Sequence, residues 1–248
     1  GNNAADFSNK YVSPEMLNFG LSAGQDMINK QTEKWLPGMS GFWLSLKYYF
    51  SVSNPYVIKK FGVILYPVSN KAWARVPADD FERSNEAEMY SRKWALPKQD
   101  INSPDLYIPL MAFMTYVLLS GMSQGLGTTN TFTPDVLIQG VWRCLILQLL
   151  ECGLIKFGVN MMSVSIPFLD VYAYTGYKYV HLCIALIASM FGGTIKFLVV
   201  MYLSAMMAFF LLKTMASVIP ATVTTGPPRH LVLLSFAAMQ FLVVLVLS

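Results

Sequence analysis

Charge is what this sequence has least of. Charged residues make up 13% of it, where a soluble domain carries about a quarter. The shortage is local, because 12 of the 18 Lys+Arg and 10 of the 14 Asp+Glu precede Asp105. A net charge of only +4 and the lack of any dense basic patch exclude nucleic acid as a natural partner. Histidine occurs twice, at His181 and His230, and neither has a second histidine or a carboxylate one helical turn away. That excludes the usual helical metal site. The three cysteines, Cys144, Cys152 and Cys183, all fall in apolar stretches, which predicts buried free thiols rather than a disulfide framework or zinc ligands. There is no phosphate-binding glycine loop, no dinucleotide glycine pattern and no nucleophile with a plausible base. No catalytic set and no cofactor are expected. No signal peptide is visible near Gly1, so the first apolar stretch is expected to serve as the targeting signal.

Apolar residues, at 54%, supply what charge does not. The turning point is Asp100–Leu119, DINSPDLYIPLMAFMTYVLL, where a polar, proline-punctuated lead becomes an unbroken apolar run. Roughly 20 apolar residues cross a hydrocarbon core about 30 Å thick. Five such stretches follow: about Leu106–Leu126, Val136–Met162, Tyr177–Phe191, Ile195–Leu212 and His230–Leu247. The third is short, and Lys178 and Lys196 at its two ends are expected to snorkel. The sequence therefore predicts an all-α, polytopic membrane protein: a head over residues 1–104 and a bundle of five transmembrane helices over 105–248. The lysine and arginine bias of the loops places the head in the cytosol and the C-terminus in the lumen.

Within the head, Ser13-Pro14-Glu15 reads as a helix start and Pro37-Gly38 as its stop, with an amphipathic stripe between. A second amphipathic helix begins at Asn54-Pro55 and ends at Pro67. Lys59 and Lys60 form its basic edge and Phe61 lies on its apolar side; with Trp73 nearby, these residues suit a helix lying in the membrane interface. The same aromatics could equally build a small soluble core. From Val76 to Gln99 the chain reads as a charged linker.

Intramembrane ionisable residues are functional hypotheses by default, because lipid makes them costly. The second stretch carries Arg143, Glu151 and Lys156. Arg143 and Glu151 lie about 80° apart around a helix, two turns separated, which allows a loose polar sector but no direct pair. One reading is an ion or proton relay. The other sets Arg143 and Lys156 near opposite interfaces and bonds Glu151 to a neighbouring helix.

Two motifs add a resemblance. Asp100–Leu118 resembles the first-span signature of the Yip-interacting-factor (Yif) family, D-x-N-A-P-D-L-Y-I-P-x-M-A-F-x-T-Y-x-L, with Ser103 in place of the alanine. Its inner Asp105-Leu106-Tyr107-x-Pro109 is similar to the D-L-Y-x-P motif of the wider Yip membrane proteins. Asp170–Val180, DVYAYTGYKYV, resembles the family's D-x-x-x-F-x-G-Y-K-Y-V ahead of the third span. Lys47–Phe50, Lys60–Pro67 with Trp73, Phe132–Pro134 and Glu151 give further, weaker matches. Arg143 and Lys156 have no family counterpart, and the segment from Thr214 to Arg229 lacks most of the family's basic residues.

The resemblance implies a non-enzymatic adaptor of endoplasmic reticulum and Golgi membranes. It would pair with a Yip-type multi-span membrane protein as a hetero-oligomer, associate with Rab-type GTPases, vesicle coat components and membrane lipid, and act in vesicle transport. Asp105, Leu106, Tyr107, Pro109, Asp170, Gly176, Tyr177, Lys178 and Tyr179 are expected to form one shared surface at the cytosolic face, serving either as a partner site or as a packing seam. A small transporter using the polar second span and a membrane-shaping protein remain the alternatives.

Overall fold

The computed structural model describes residues 39–77, 94–125, 134–220 and 227–248. The helix expected between Ser13 and Pro37 and most of the charged linker lie outside the described residues. The chain divides into two units, Gly1–Lys47 and Tyr48–Ser248, and the second holds the helical bundle.

Helix α1, Met39–Tyr49, delivers Tyr48 and Tyr49 at its end. Helix α2, Asn54–Leu65, starts as its sequence predicts, with extended Ser53 ahead of it and Pro55 in the first turn. It buries Tyr56, Lys60 and Ile64, spaced four apart on one face, and leaves Ile58 73% exposed on the other. The structure departs from the expected basic edge at Lys60. Lys59 is exposed, but Lys60 points inward and is 1% exposed, because it falls on the same stripe as Tyr56 and Ile64.

Six further helices follow among the described residues: α3 (Tyr107–Gly125), α4 (Pro134–Met161), α5 (Phe168–Gly176), α6 (Lys178–Ser189), α7 (Gly193–Val218) and α8 (Arg229–Leu247). The described residues are helical apart from loops, one short 3-10 turn at Pro67–Ser69 and an isolated bridge between Pro77 and Trp94. Helices α7 and α8 pack along each other, α3 lies against α6, and α4 against α5. Residues 48–77 and 94–104 belong to the same unit as these helices, through Tyr56 and Ile64 in the shared core.

Among the described residues, three helical segments are long and apolar enough to cross a membrane: Leu137–Met161, Gly193–Val218 and Arg229–Leu247. Only 33–39% of their most apolar windows is buried within the chain. Leu150, Leu154 and Phe157 of α4 are each more than half exposed, an arrangement that a hydrocarbon solvent favours and water does not. Helix α3 is continuous over its 19 residues but carries Ser, Thr, Gln and Tyr among its apolar side chains. The third stretch departs most from expectation. Its helical run begins at Phe168 and is interrupted at Tyr177, giving segments of nine and 12 residues. Gly192, at φ +119°, makes the expected tight break before α7.

Candidate functional site

The two signature motifs meet inside the second unit. Asp105, fully buried, accepts from the Ile108 amide at 2.9 Å and so caps the first turn of α3. Its second oxygen accepts from the Tyr177 hydroxyl at 2.6 Å and from the Tyr56 hydroxyl at 2.9 Å. Tyr177 in turn accepts from the Asp105 amide at 3.1 Å. One carboxylate thereby ties together α2, the start of α3 and the α5–α6 joint. Four residues further on, Pro109 lies against Gly176, where a Cβ would stand 2.8 Å from the Cβ of Pro109. Only glycine lets the two helices approach this closely.

Lys60 sits beneath this cluster. Its ammonium donates to the carbonyls of Ile101 and Ser103 and lies over the rings of Tyr56 and Tyr177. Burial pushes its pKa down to about 8, with Asp105 and Asp100 opposing the shift. Burial also raises the Tyr56 phenol above its usual range, reinforced by Asp105. Asp100 holds the neighbouring loop by accepting from the amides of Val76, at 3.0 Å, and Asn102, at 2.9 Å.

A second cluster repeats the plan. Arg75 donates to Asp170 at 2.9 Å and, through Nε, to the Tyr174 hydroxyl at 3.0 Å. The Tyr49 hydroxyl donates to the other oxygen of Asp170. Tyr48 donates to the Ala95 carbonyl at 2.9 Å. These contacts fasten the loop around residue 75 to α5 and the loop around residue 95 to the end of α1.

Of the nine residues expected to share a surface, Asp105, Pro109, Gly176 and Tyr177 come together directly. Asp170 belongs to the Arg75 cluster, and Leu106 is buried with its amide on the Tyr49 carbonyl at 3.2 Å. Lys178 departs from expectation. It does not snorkel; it is fully buried and paired with Glu151 of α4. Burial without a partner would be prohibitive for either group, so the two charges specify each other. Glu151 thus bonds to a neighbouring helix, the blander of its two readings. Tyr179 donates to the Cys144 carbonyl at 3.2 Å. Tyr107 is the motif residue on the outside, 36% exposed beside Leu110 and Met111.

The remaining expected positions scatter. Lys59 and Phe61 face outward on α2, whereas Trp73 packs edge-on against Phe210 of α7. Arg143 donates to the Val246 carbonyl at 2.6 Å, and Lys156 to that of Ile166. The sequence singles out neither Tyr56 nor Arg75, and places Tyr49 and Tyr174 only within longer motif matches. The available signal is their tyrosine and arginine chemistry, since long polar-tipped side chains can bury their bodies and still reach a carboxylate.

Long apolar helices with lipid-compatible faces, tied to the preceding residues by buried polar clusters, define an all-helical membrane protein. Similarity to known proteins narrows this further: a model of the YIF1 family matches residues 12–248, and the chain belongs to that family. It is 30% identical to Protein YIF1B-B of Xenopus laevis over 83% of this chain and 65% of that protein. It is 32% identical to Protein transport protein yif1 of Schizosaccharomyces pombe, covering 92% of this chain and 78% of the relative. Mouse Protein YIF1A is 29% identical over 84% of this chain. The chain thus spans 65% of the length of the Xenopus relative. No solved structure matches.

Proposed function

We propose that this chain is a non-enzymatic membrane adaptor in protein transport, acting in vesicle traffic between the endoplasmic reticulum and the Golgi. Family membership over residues 12–248 carries the reading, together with a fission-yeast relative named as a protein transport protein. In this reading it pairs with a Yip-type multi-span protein and associates with Rab-type GTPases, with the head cytosolic and the C-terminus lumenal. The polar residues of α4 favour an adaptor over a transporter: Glu151 is taken up by Lys178 and Arg143 by a backbone carbonyl. The buried seam fixes residues 48–77 and 94–104 against the helices that follow. The outward residues beside it, Tyr107 with Leu110 and Met111, then offer the partner contact. Lys59, Phe61 and Ile58 on the outer face of α2 suit contact with lipid at the interface.

The test is co-purification from mild detergent with mass-spectrometric readout, using the native chain and Tyr107→Ala. Recovery of a Yip-type protein with the native chain, reduced with Tyr107→Ala at unchanged thermal stability, supports the reading. A native chain that returns only itself contradicts it.

A further inference from the structure

The seam does not use Arg143, and its surroundings differ from those of Arg75 and Arg229. Arg143 lies where α8 stops: its guanidinium donates to the Val246 carbonyl at 2.6 Å, and Tyr116 donates to the Leu247 carbonyl at 2.7 Å. Helix α8 has 19 residues, about 28 Å of helix, close to the hydrocarbon thickness. Arg143 therefore marks the boundary between hydrocarbon and headgroups, at the face opposite Arg229. Helix α4 runs on past this level, from Gly140 back to Pro134.

A cleft of about 260 Å³ opens there between α3 and α4. Ser120 and Gln124 line it from α3, and Gln139, Gly140 and Arg143 from α4. Among the described residues, no acidic side chain lines it. Asp135, one turn before Gln139, is the nearest acid along α4 and is not part of the lining. Gln124 donates weakly to Ser120, at 3.4 Å. A guanidinium carries five N–H donors, and the Val246 carbonyl takes a contact from only one of the nitrogens. Arg229, by contrast, has both its Nε and Nη2 engaged with the carbonyls of Ala216 and Ile219.

An arginine bonded through one nitrogen alone, with amide and hydroxyl donors around it and no acidic side chain among the described lining residues, in a cleft of this size at the headgroup level, has the chemistry of a phosphate site. We propose that this cleft binds a phosphate group, presented by the headgroup of an anionic phospholipid. The proposal rests on the membrane-embedded character of the helices and is independent of the adaptor reading.

The test uses the full chain in mild detergent and measures binding of dioctanoyl phosphatidic acid, of dioctanoylglycerol and of inorganic phosphate. The expected result is saturable binding of phosphatidic acid, none of dioctanoylglycerol, and affinity weakened roughly tenfold or more in Arg143→Gln. Because that substitution could also loosen the end of α8, Gly140→Leu provides a second variant. Gly140 lines the cleft and a Cβ there meets nothing within 4 Å, so a leucine at this position adds bulk to the lining without removing Arg143 or its bond to Val246. It too should weaken binding roughly tenfold or more, at unchanged thermal stability. Equal affinity for inorganic phosphate overturns the lipid source. Equal binding of dioctanoylglycerol, or phosphatidic acid binding that survives both substitutions, overturns the site.

Discussion

Pro109 and Gly176, 67 positions apart in sequence, touch so closely that a Cβ on Gly176 would stand 2.8 Å from the Cβ of Pro109. A proline ring cannot turn aside as a long side chain can. Gly176→Ala should therefore lower thermal stability by about 1–3 kcal/mol, although alanine favours helix over glycine by about 1 kcal/mol. Thermal unfolding in detergent reads the sign. A higher melting temperature in Gly176→Ala would mean that propensity outweighs contact here, and that the helices are not this close.

The carboxylate of Asp105 should be coupled energetically to the hydroxyl of Tyr177. Asp105→Asn and Tyr177→Phe each remove one side of a buried, charge-assisted bond and should cost about 1.5–3 kcal/mol. Together they should cost clearly less than their sum, because either change alone already breaks the bond. Strict additivity in the double-mutant cycle would show that the pair does not interact.

Lys60 gives the fold a pH dependence of definite sign. Its pKa is about 8 in the folded chain, against an ordinary value of 10.5. Between these pH values the unfolded chain binds a proton that the folded chain has released, so this group makes stability rise with pH, by roughly 3 kcal/mol over the whole window. Tyr56 works the other way: its phenol is raised above 10.0, so its contribution is lost as pH climbs beyond 10. Melting temperature should therefore increase from pH 8 towards 10, and Lys60→Met should flatten that increase. Parallel pH profiles for the two proteins would rule out a titrating Lys60.

Much of this architecture is legible in the sequence, and the reasons differ from part to part. The start of α2 at Asn54-Pro55, its stop before Pro67 and the break at Gly192 follow from local backbone rules. The long apolar runs of α4, α7 and α8 follow from composition alone. Helix α5 is hidden because Asp170, Tyr172, Tyr174 and Tyr177 make its sequence look like a loop, and only tertiary bonds to Arg75, Tyr49 and Asp105 let that polar run be buried. Lys178 is hidden for a related reason. Periodicity locates a lysine at a helix end, but cannot reveal that a glutamate from another helix lies against it.

That ion pair supplies a further expectation. Lys178→Met should destabilise the chain by about 3–5 kcal/mol, because it leaves Glu151 buried and unpaired. Adding Glu151→Leu should restore most of the loss, since a packed apolar pair is often neutral or better than a buried ionic one. Thermal unfolding of the single and double variants is sufficient. If the double variant is as unstable as the sum of both singles, the two charges are not partners.

The two signature motifs meet within one chain, and an engineered cross-link tests this most directly. Pro109→Cys and Gly176→Cys, in a chain whose Cys144, Cys152 and Cys183 are replaced by alanine, set two Cβ atoms about 1 Å closer than the usual disulfide separation, which a small outward shift of the two helices relieves. Oxidation in native membranes, followed by non-reducing electrophoresis, should give a monomer with a reducible mobility shift. Absence of any cross-link, or a cross-link only between two chains, would contradict the seam.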